Sequence, residues 1–451
     1  MRFPVTLASR FFCVLAASLA LETSPAAERR PNIVVIISDD MGFADVGFNG
    51  CKDTPTPHID SLAREGVRCR NGYVSHPFCS PTRAGVLTGR YQQRFGHENN
   101  PRYEPTNPKA GLPLDQITLA QVLKDAGYVT IAVGKWHLGA APESHPNRRG
   151  FTDFFGFLGG GHVYLPGEKG GAEYTIPILR NSQPVDEKEY LTDAFSREAA
   201  AYIQQHKARP FFLYLAYNAV HTPMHTTDKY LSRFPGIANE LRRKYAAMQS
   251  ALDDGIGRVL QALKAEELER DTLVFFFSDN GGPVGINGSS NDPLRGAKGQ
   301  MYEGGIHIPF VVRWPGKLPA GKVYDEPVIS LDVFQTAVEL AGAKAPSDRK
   351  LDSVNLVPYL TGQKKGAPHE RLFWRAGGGE RYAVREGQYK LVKQGDAEEL
   401  FDLKADPSET TNLAVQKPDV LARLHGAFEK WNAELVPPVF ESPPGGKRKK
   451  K

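Results

Sequence analysis

The sequence predicts an α/β protein with a large doubly wound mixed/parallel sheet flanked by helices, followed by a smaller C-terminal α+β subdomain of antiparallel sheet and one helix. Two observations carry this prediction. Continuous apolar runs of strand length alternate along the chain with helical patterns, which is typical of a doubly wound sheet. After about residue 344 the pattern changes to short alternating runs, which favour antiparallel strands.

The elements of the main sheet follow in order. The run Asn-Ile-Val-Val-Ile-Ile at residues 32–37 predicts a buried parallel strand, because both faces of such a strand are apolar. The other apolar runs that predict strands cover residues 67–74, 129–133, 211–217 and 272–277. Apolar residues at helical spacing predict helices over residues 56–66, 119–126, 194–206 and 240–265.

The C-terminal part of the sequence has a different pattern of apolar residues. Short alternating runs between residues 373 and 392 and around residues 399–403 predict a small antiparallel sheet, and residues 418–435 form an amphipathic helical pattern that would cover it. We therefore expect a catalytic domain over residues 27–344 and a C-terminal subdomain over residues 345–436. Residues 437–451 are rich in Pro and Gly and then basic, which predicts a disordered tail.

The N-terminus has the pattern of a secretory signal over residues 1–26. Arg2 and Arg10 form a basic start, residues 11–21 form a short apolar run, and Ser24-Pro25-Ala26 is a small-residue cleavage site. The apolar run is too short to span a bilayer, so we expect a soluble exported protein without a transmembrane segment. We expect a periplasmic or secreted protein, with a bacterial source favoured over a lysosomal or ER one, since Asn287-Gly288-Ser289 is the single glycosylation sequon noted.

Net charge and cysteine content limit the classes of function to which the chain can belong. The net charge is +5, but residues 447–451 alone carry five positive charges, so the folded body is close to neutral. No basic face with interleaved aromatic residues indicates nucleic-acid binding. Of four cysteines, Cys13 lies in the signal; Cys51 and Cys69 form either a disulfide or two free thiols, which leaves Cys79 unpaired.

The segment from Cys79 to Arg90 is the most informative motif. It reads Cys-Ser-Pro-Thr-Arg-Ala-Gly-Val-Leu-Thr-Gly-Arg. Proline favours the first turn of a helix, so Cys79 should lie just before a helix begins, where free backbone N–H groups attract anions. Arg83 adds a planar fork of donors for sulfate or phosphate. Three residues separate Cys79 from Arg83, whereas a cysteine phosphatase loop needs five.

Polar side chains follow four predicted strands at the point where each strand ends. In open α/β sheets, ligands bind at this carboxyl edge. Four side chains, Asp39, Asp40, Asp279 and Asn280, offer hard oxygen ligands and suit Ca²⁺ or Mg²⁺ rather than Zn²⁺. The alternative for Asp39 and Asp40 is a helix cap. A second set can hold a tetrahedral anion and exchange protons: Arg83, Lys135, His137, His221 and Lys298.

On these motifs the chain resembles the type I formylglycine-dependent sulfatases of the alkaline phosphatase superfamily, over nearly all of its mature length. Cys79-x-Pro81-x-Arg83 with Leu87-Thr88-Gly89-Arg90 is similar to the family signature, although Thr82 stands where Ser is commoner. The His-rich two-metal site of the superfamily's phosphatases is not found. The resemblance implies that a separate formylglycine-generating enzyme oxidises Cys79, and that Ca²⁺ is held by Asp39, Asp40, Cys79, Asp279 and Asn280.

The resemblance also implies a mechanism. Hydrated formylglycine carries two hydroxyls, one of which attacks sulfur with help from Ca²⁺ and Asp279. Arg83, Lys135 and Lys298 stabilise the sulfate oxygens. His221 or Lys298 protonates the leaving alcohol oxygen, and His137 takes a proton from the remaining hydroxyl to release sulfate.

Substrate choice is expected in the loops near the motif. The candidates are polar residues that could contact a sugar: His97, Asn100, Arg102, His162 and His225. The overall pattern resembles the carbohydrate sulfatases and favours a sulfated galactose or N-acetylgalactosamine. The alternatives are an N-acetylglucosamine-6-sulfate sulfatase, a phosphodiesterase or phosphonate hydrolase on the same fold, and a non-catalytic glycan-binding protein if Cys79 is not converted.

Overall fold

The computed structural model describes residues 1, 3–4 and 29–440. The predicted signal over residues 1–26 therefore lies almost wholly outside the described residues, as does the basic end of the tail. Within the described residues, no helix is both long enough and apolar enough to cross a membrane.

The strands form one large sheet, one small pair and one separate four-stranded sheet. In chain order they are β1 (Asn32–Ser38), β2 (Val67–Cys69), β3 (Gly72–Tyr73), β4 (Val129–Lys135), β5 (Asp153–Phe157), β6 (Ile178–Arg180), β7 (Gln183–Val185), β8 (Phe211–Ala216), β9 (Thr272–Ser278), β10 (Phe310–Arg313), β11 (Lys322–Tyr324), β12 (Val328–Ile329), β13 (Arg371–Ala376), β14 (Arg381–Glu386), β15 (Tyr389–Lys393) and β16 (Glu398–Asp402).

The large sheet has the order β11-β2-β10-β9-β1-β8-β4-β5-β6-β7. Its centre, from β9 to β5, is parallel, and antiparallel pairs join β10 to β9 and β6 to β5. Every residue of β1 is buried, as expected for a central parallel strand whose two faces are both covered. The mixed, doubly wound sheet predicted from the sequence is therefore confirmed.

Helices cover both faces of this sheet. They are α1 (Pro57–Glu65), α2 (Cys79–Thr88), α3 (Leu119–Asp125), α4 (Leu191–His206), α5 (Asp228–Leu231), α6 (Glu240–Ala265), α7 (Glu303–Ile306), α8 (Asp332–Leu340), α9 (Val357–Thr361) and α10 (Pro418–Asn432). Val34 and Ile36 of β1 face the layer of α1, α4 and α6, while Ile33, Val35 and Ile37 face α2, α3 and α8. The period of two along a strand produces this division.

The C-terminal sheet has the order β13-β14-β15-β16 and is antiparallel throughout, with α10 packed against β14 and β15. Its apolar residues join the same core as α2, α3 and α8. The indole N–H of the buried Trp374 donates to the carbonyl oxygen of Val74 at 2.6 Å. The subdomain therefore shares its hydrophobic core with the main sheet.

Two details differ from the sequence-based expectations, and a third decides between two alternatives. Residues 67–74 form two short strands, because the chain turns at Arg70 and Asn71 and β3 pairs with β12 instead of with the large sheet. Residues 437–440 were expected to be disordered, yet the N–H of Val439 donates to the oxygen of Gly96 at 2.9 Å. Cys51 and Cys69 are both free thiols, which decides the open question of their pairing.

A buried ion network fastens the subdomain to the main domain. The Lys390 ammonium lies 2.8 Å from Glu303 Oε1 and 2.9 Å from Glu409 Oε1, and all three residues are buried. Burial alone would raise the pKa of Glu303, but Lys390 and His307 outweigh it and hold that pKa below its usual range. Burial raises the pKa of Glu409 to about 7. Lys390 thus compensates two carboxyl groups that have little access to water.

Replacing Lys390 should lower the stability of the folded protein. We expect Lys390→Met to lower the free energy of unfolding by about 3–5 kcal/mol, because it removes the cation that two buried carboxyl groups share. The measurement is urea unfolding followed by circular dichroism. The exposed Lys404 provides the matched control, and Lys404→Met should change stability by less than about 0.5 kcal/mol. Equal unfolding midpoints for both variants would contradict the proposed role of Lys390.

Candidate active site

The carboxyl edge of the large sheet gathers the charged residues predicted from the sequence. Ligand atoms of Asp39, Asp40, Cys79 and Asp279 all lie within 4.8 Å of one another, and all four residues are buried. Asp39 and Asp40 follow β1, and Asp279 follows β9, which pairs in register with β1 up to Ser38 and Ser278. Parallel pairing of adjacent strands therefore brings together residues 240 positions apart.

Local backbone interactions hold the two consecutive aspartates at this edge. The N–H of Asp39 donates to the oxygen of Ala219 at 2.9 Å, and the N–H of Val220 donates to the oxygen of Asp39 at 2.7 Å. Asp40 has a φ of 63°, in the left-handed region that Asp tolerates better than most residues. The chain therefore turns at Asp40 directly after the strand. The helix cap considered as an alternative is not what these side chains form.

The motif helix α2 begins at Cys79, one residue earlier than the sequence suggested, with Phe78 as its N-cap. All ten residues of α2 are buried. The helix ends at Thr88 and is capped by Gly89, whose φ of 65° allows its N–H to donate to the oxygen of Gly85 at 2.8 Å. Cys79 thus lies at the positive end of a buried helix, where an anion is stabilised.

Three cations compensate the three carboxylates. Lys135 Nζ lies 2.6 Å from Asp39 Oδ2, and Lys298 Nζ lies 2.6 Å from Asp40 Oδ1. Both Nε and Nη2 of Arg83 donate to Asp279 Oδ2, at 3.1 and 2.7 Å. The charges of these residues therefore balance. A divalent cation added to the cluster would leave an excess of positive charge, which would attract an anionic substrate.

The protonation states follow from burial and these neighbours. Burial opposes ionisation of Asp39, but the charges of Lys135, His221 and Arg83 outweigh it and hold the Asp39 pKa below its usual range. Burial and the charge of Asp39 raise the pKa of Asp279 to about 6. Burial and Asp279 raise the pKa of the Cys79 thiol to about 12. An unmodified Cys79 is therefore protonated at neutral pH and is a weak nucleophile.

The donor set fits a hard divalent cation. Asn280 Nδ2 donates to Asp40 Oδ1 at 2.7 Å and to the oxygen of Gly281 at 3.0 Å. Asn280 Oδ1 is buried and has no hydrogen-bond partner within the described residues. A buried amide oxygen without a partner is costly unless an ion or water satisfies it. Together with the carboxylates of Asp39, Asp40 and Asp279, this oxygen offers the ligand chemistry of a calcium-type site.

The two predicted histidines flank the cluster. His137 is buried, and its Nδ1 has no partner among the residues that the structure describes. Burial and the charges of Lys135 and Arg83 hold the pKa of His137 well below its usual range, so the ring is neutral and can accept a proton. His221 Nδ1 lies 2.6 Å from the oxygen of Thr222, and its Nε2 lies 3.7 Å from Asp40 Oδ2. Its Nε2 therefore faces the cluster.

The five residues predicted to contact a substrate differ in how accessible their side chains are. His97 is fully buried, with Nε2 at 2.7 Å from Ser80 Oγ and Nδ1 at 3.2 Å from the oxygen of Gly111. His162 is also buried, and both its ring nitrogens lie against the backbone oxygens of Val163 and Ile176. Both nitrogens of each ring therefore have partners within the protein, and contact of His97 or His162 with a sugar stays a prediction.

The remaining candidates keep some exposure. Asn100 Oδ1 accepts from the N–H of Ser80 at 3.0 Å, which ties the loop after α2 to the motif. Arg102 is exposed. His225 is half-buried, and its Nε2 lies 3.6 Å from Glu168 Oε2. Contact of Asn100, Arg102 and His225 with a substrate stays a prediction.

Two residues near the site were missed at the sequence level. Asn287 is fully buried, and its Nδ2 donates to the oxygens of Asp40 and Val220, both at 3.1 Å. The asparagine of the predicted glycosylation sequon is therefore buried and hydrogen-bonded within the protein. Tyr174 places its ring 6.2 Å from that of His221. In the sequence, the glycine run at residues 159–161 was the signal that could have indicated a side chain such as Tyr174 nearby, since glycines allow close approach of side chains from other segments.

Comparisons with known proteins agree with this geometry. Residues 31–343 match the family model described as Sulfatase, and residues 297–434 match the model described as N-sulphoglucosamine sulphohydrolase, C-terminal. N-acetylgalactosamine-6-sulfatase of Mus musculus is 35% identical over 408 residues, which cover 85% of this chain and 76% of that protein. The uncharacterized sulfatase YdeN of Escherichia coli (strain K12) is 30% identical, covering 93% of this chain and 88% of that protein.

A solved structure is similar over nearly the whole chain. Ps i-CgsB in complex with k-i-k-neocarrahexaose has a TM-score of 0.86 and 39% sequence identity. The match covers 91% of this chain and 94% of that chain. Both the large sheet and the C-terminal sheet therefore belong to the shared fold.

Removal and return of a divalent cation should change stability. After treatment with a chelator, we expect Ca²⁺ at 100 times its Kd to add about 2.7 kcal/mol to the free energy of unfolding, measured by thermal or urea unfolding. Asn280→Leu should remove much of this gain, because it deletes the unpartnered amide oxygen. Asp396→Asn, on an exposed turn, should respond to Ca²⁺ as the unaltered protein does. An unchanged unfolding curve on addition of Ca²⁺ and of Mg²⁺ would contradict a cation site here.

Proposed function

The chain belongs to the sulfatase family, and from that premise we propose that it hydrolyses an O-sulfate ester of a carbohydrate through a formylglycine made from Cys79. Family membership makes the protein a sulfuric ester hydrolase. The observation that carries the finer proposal is the buried cluster in which Cys79 lies among three carboxylates and three balancing cations.

Conversion of Cys79 is supported by its surroundings. A thiol pKa of about 12 leaves the sulfur protonated at neutral pH, so an unconverted Cys79 would supply little thiolate. Its position at the start of α2 instead suits an oxygen nucleophile beside a sulfate group. A hydrated formylglycine would supply one hydroxyl for attack on sulfur and a second through which sulfate is released. We propose a separate formylglycine-generating enzyme as the maturation partner.

The cation that we propose is Ca²⁺. Asp39, Asp40, Asp279 and Asn280 would hold it together with the converted Cys79. When bound, it would supply positive charge to the reacting group and to the sulfate oxygens.

The cationic residues bind and orient the sulfate. Arg83 and Lys135 are fully buried and fixed by ion pairs, so their charges require little reorganisation when an anion enters. Lys298 keeps some exposure and lies at the more open side of the cluster. These three residues would stabilise the charge that develops on the sulfate oxygens.

Three proton transfers remain for the residues around the sulfate. The attacking hydroxyl would lose its proton to Asp279, whose pKa of about 6 leaves it ionised at neutral pH.

The leaving alcohol oxygen would take a proton from Nζ of Lys298, or from Nε2 of His221 when that ring is protonated on both nitrogens, since both atoms face Asp40 at the edge of the cluster. Donation from Nε2 needs the imidazolium, because burial lowers the pKa of His221 and the neutral ring keeps its proton on Nδ1, against the oxygen of Thr222. His137, which is neutral and has a buried nitrogen without a described partner, would accept a proton in the step that releases sulfate.

The relatives favour a galacto-configured sugar. The similar curated proteins include N-acetylgalactosamine-6-sulfatases, and the similar solved structure holds k-i-k-neocarrahexaose. We propose a sulfated galactose or N-acetylgalactosamine within a glycan as the substrate, acted on by an exported enzyme in the periplasm or outside the cell.

The first test concerns Cys79. We expect Cys79→Ser to lower kcat/KM by more than about 10³-fold, equivalent to about 4 kcal/mol of transition-state stabilisation. Cys51→Ser, at a half-buried thiol outside the cluster, should retain activity. Mass spectrometry of the active protein should find Cys79 converted to formylglycine. Full turnover by protein whose Cys79 is unmodified would overturn the proposed mechanism.

The second test concerns the substrate. Free sulfate should be released fastest from galactose 6-sulfate or N-acetylgalactosamine 6-sulfate, with a kcat/KM about 10-fold or more above that for N-acetylglucosamine 6-sulfate. The same preparation is assayed on 4-nitrophenyl sulfate and 4-nitrophenyl phosphate. Preference for the phosphate ester would contradict a sulfatase activity. Preference for the glucosamine sulfate would leave a sulfatase but contradict the proposed sugar.

A further inference from the structure

The loop over residues 159–176 lies directly beside the segment that carries His221. The Tyr164 hydroxyl lies 2.5 Å from the oxygen of Asn218 and 2.8 Å from that of His221. Glu168 Oε2 lies 3.6 Å from His225 Nε2, so the two segments also meet through charged groups. The loop is closed on itself by the N–H of Val163, which donates to the oxygen of Tyr174 at 2.9 Å. Tyr174 is therefore held next to His221.

The loop is shaped to hold the ring of Tyr174. A Cβ added at Gly161 would lie 2.5 Å from Tyr174 Cε1, and one added at Gly170 would lie 2.9 Å from Tyr174 Cβ. Any other residue at position 161 would thus displace the ring. The ring lies 6.2 Å from the ring of His221, tilted by 30°, and keeps part of its surface exposed.

The phenol of Tyr174 lies within electrostatic range of the charged cluster. Burial raises the pKa of this phenol, and the charges of Lys135, Asp39 and Lys298 also act on it. The phenol also interacts with the Thr222 side chain, next to His221. Tyr174 is therefore a partly exposed aromatic residue on the same side of the cluster as one of the two candidate proton donors.

We propose that Tyr174 is a specificity-determining residue, which contacts the sugar ring that carries the sulfate. This inference rests on the proposed function. The leaving alcohol oxygen must come within hydrogen-bond distance of its proton donor, so with His221 as donor the sugar must lie beside that imidazole. The neighbouring phenol ring there would contact the apolar face of a pyranose, and its hydroxyl could bond to a sugar hydroxyl. Large aromatic rings of this kind provide much of the contact area in ligand sites.

The test separates contact with the sugar from support of the anion site. On the sugar sulfate that the unaltered enzyme hydrolyses best, Tyr174→Ala should lower kcat/KM by about 10- to 100-fold, mainly through KM. Inorganic sulfate occupies the anion site without a sugar, so its Ki as a competitive inhibitor should change by less than about threefold, which is smaller than the loss expected for a single methylene contact. Tyr174→Phe retains the ring and should retain most of the activity lost in Tyr174→Ala.

The controls address folding and the position of His221. Thr175→Ala alters an exposed neighbour in the same loop and should leave kcat/KM and the sulfate Ki unchanged. The pH profile of kcat/KM should be the same in Tyr174→Phe and the unaltered enzyme. Equal weakening of kcat/KM and of sulfate inhibition in Tyr174→Ala would overturn the proposal, because Tyr174 would then only support the charged cluster. Unchanged kcat/KM in Tyr174→Ala would also overturn it.

Failure of the proposed function gives a different result. An unaltered enzyme that releases no sulfate from any sugar sulfate would refute the carbohydrate sulfatase activity itself, and the assignment of Tyr174 with it. Activity on sugar sulfates that is indifferent to Tyr174→Ala refutes the assignment of Tyr174 alone.

Discussion

The mutual compensation of buried charges at the carboxyl edge of the sheet is the constraint on which the rest of the structure depends. Three carboxylates and three cations lie there, all of them buried except the half-buried Lys298, and each charge is paired at hydrogen-bond distance. Removing one partner from such a set leaves an uncompensated buried charge, which costs several kcal/mol. The site is therefore stable only if all the segments that contribute to it are held in register.

Strand pairing and side-chain contacts around the site hold these segments in register. Parallel pairing of β1, β8 and β9 aligns the strand ends, so Asp39 and Asp279 emerge side by side. Behind the motif, Ser80 Oγ donates to the oxygen of His137 at 2.6 Å and contacts His97, whose ring meets that of Phe440 edge-on. His97, expected on sequence grounds to touch a substrate, connects the motif helix to the last described residues of the chain.

The residues of the site could be predicted where a short sequence pattern fixes their position in the fold. A charged side chain at the last residue of a buried strand, or directly after it, must lie at the sheet edge, so Asp39, Lys135 and Asp279 could be assigned from pattern alone. Loop residues could not be assigned in this way, because a loop side chain can point to solvent, into the core or into the site. His162 illustrates the difference: its ring is buried against the backbone oxygens of Val163 and Ile176. Tyr174, which no motif marks, lies beside His221.

The sequence by itself determined the fold class, the sulfatase signature around Cys79 and the residue types of the charged cluster. Those features depend on short-range periodicity and on the chemistry of individual side chains, both of which can be read from neighbouring residues. Only the tertiary structure decided which carboxylate each cation compensates, that Asn280 keeps an oxygen without a partner among the described residues, and that the C-terminal sheet shares the core of the main domain. These properties depend on packing between segments far apart in the chain, whose relative positions no local pattern specifies.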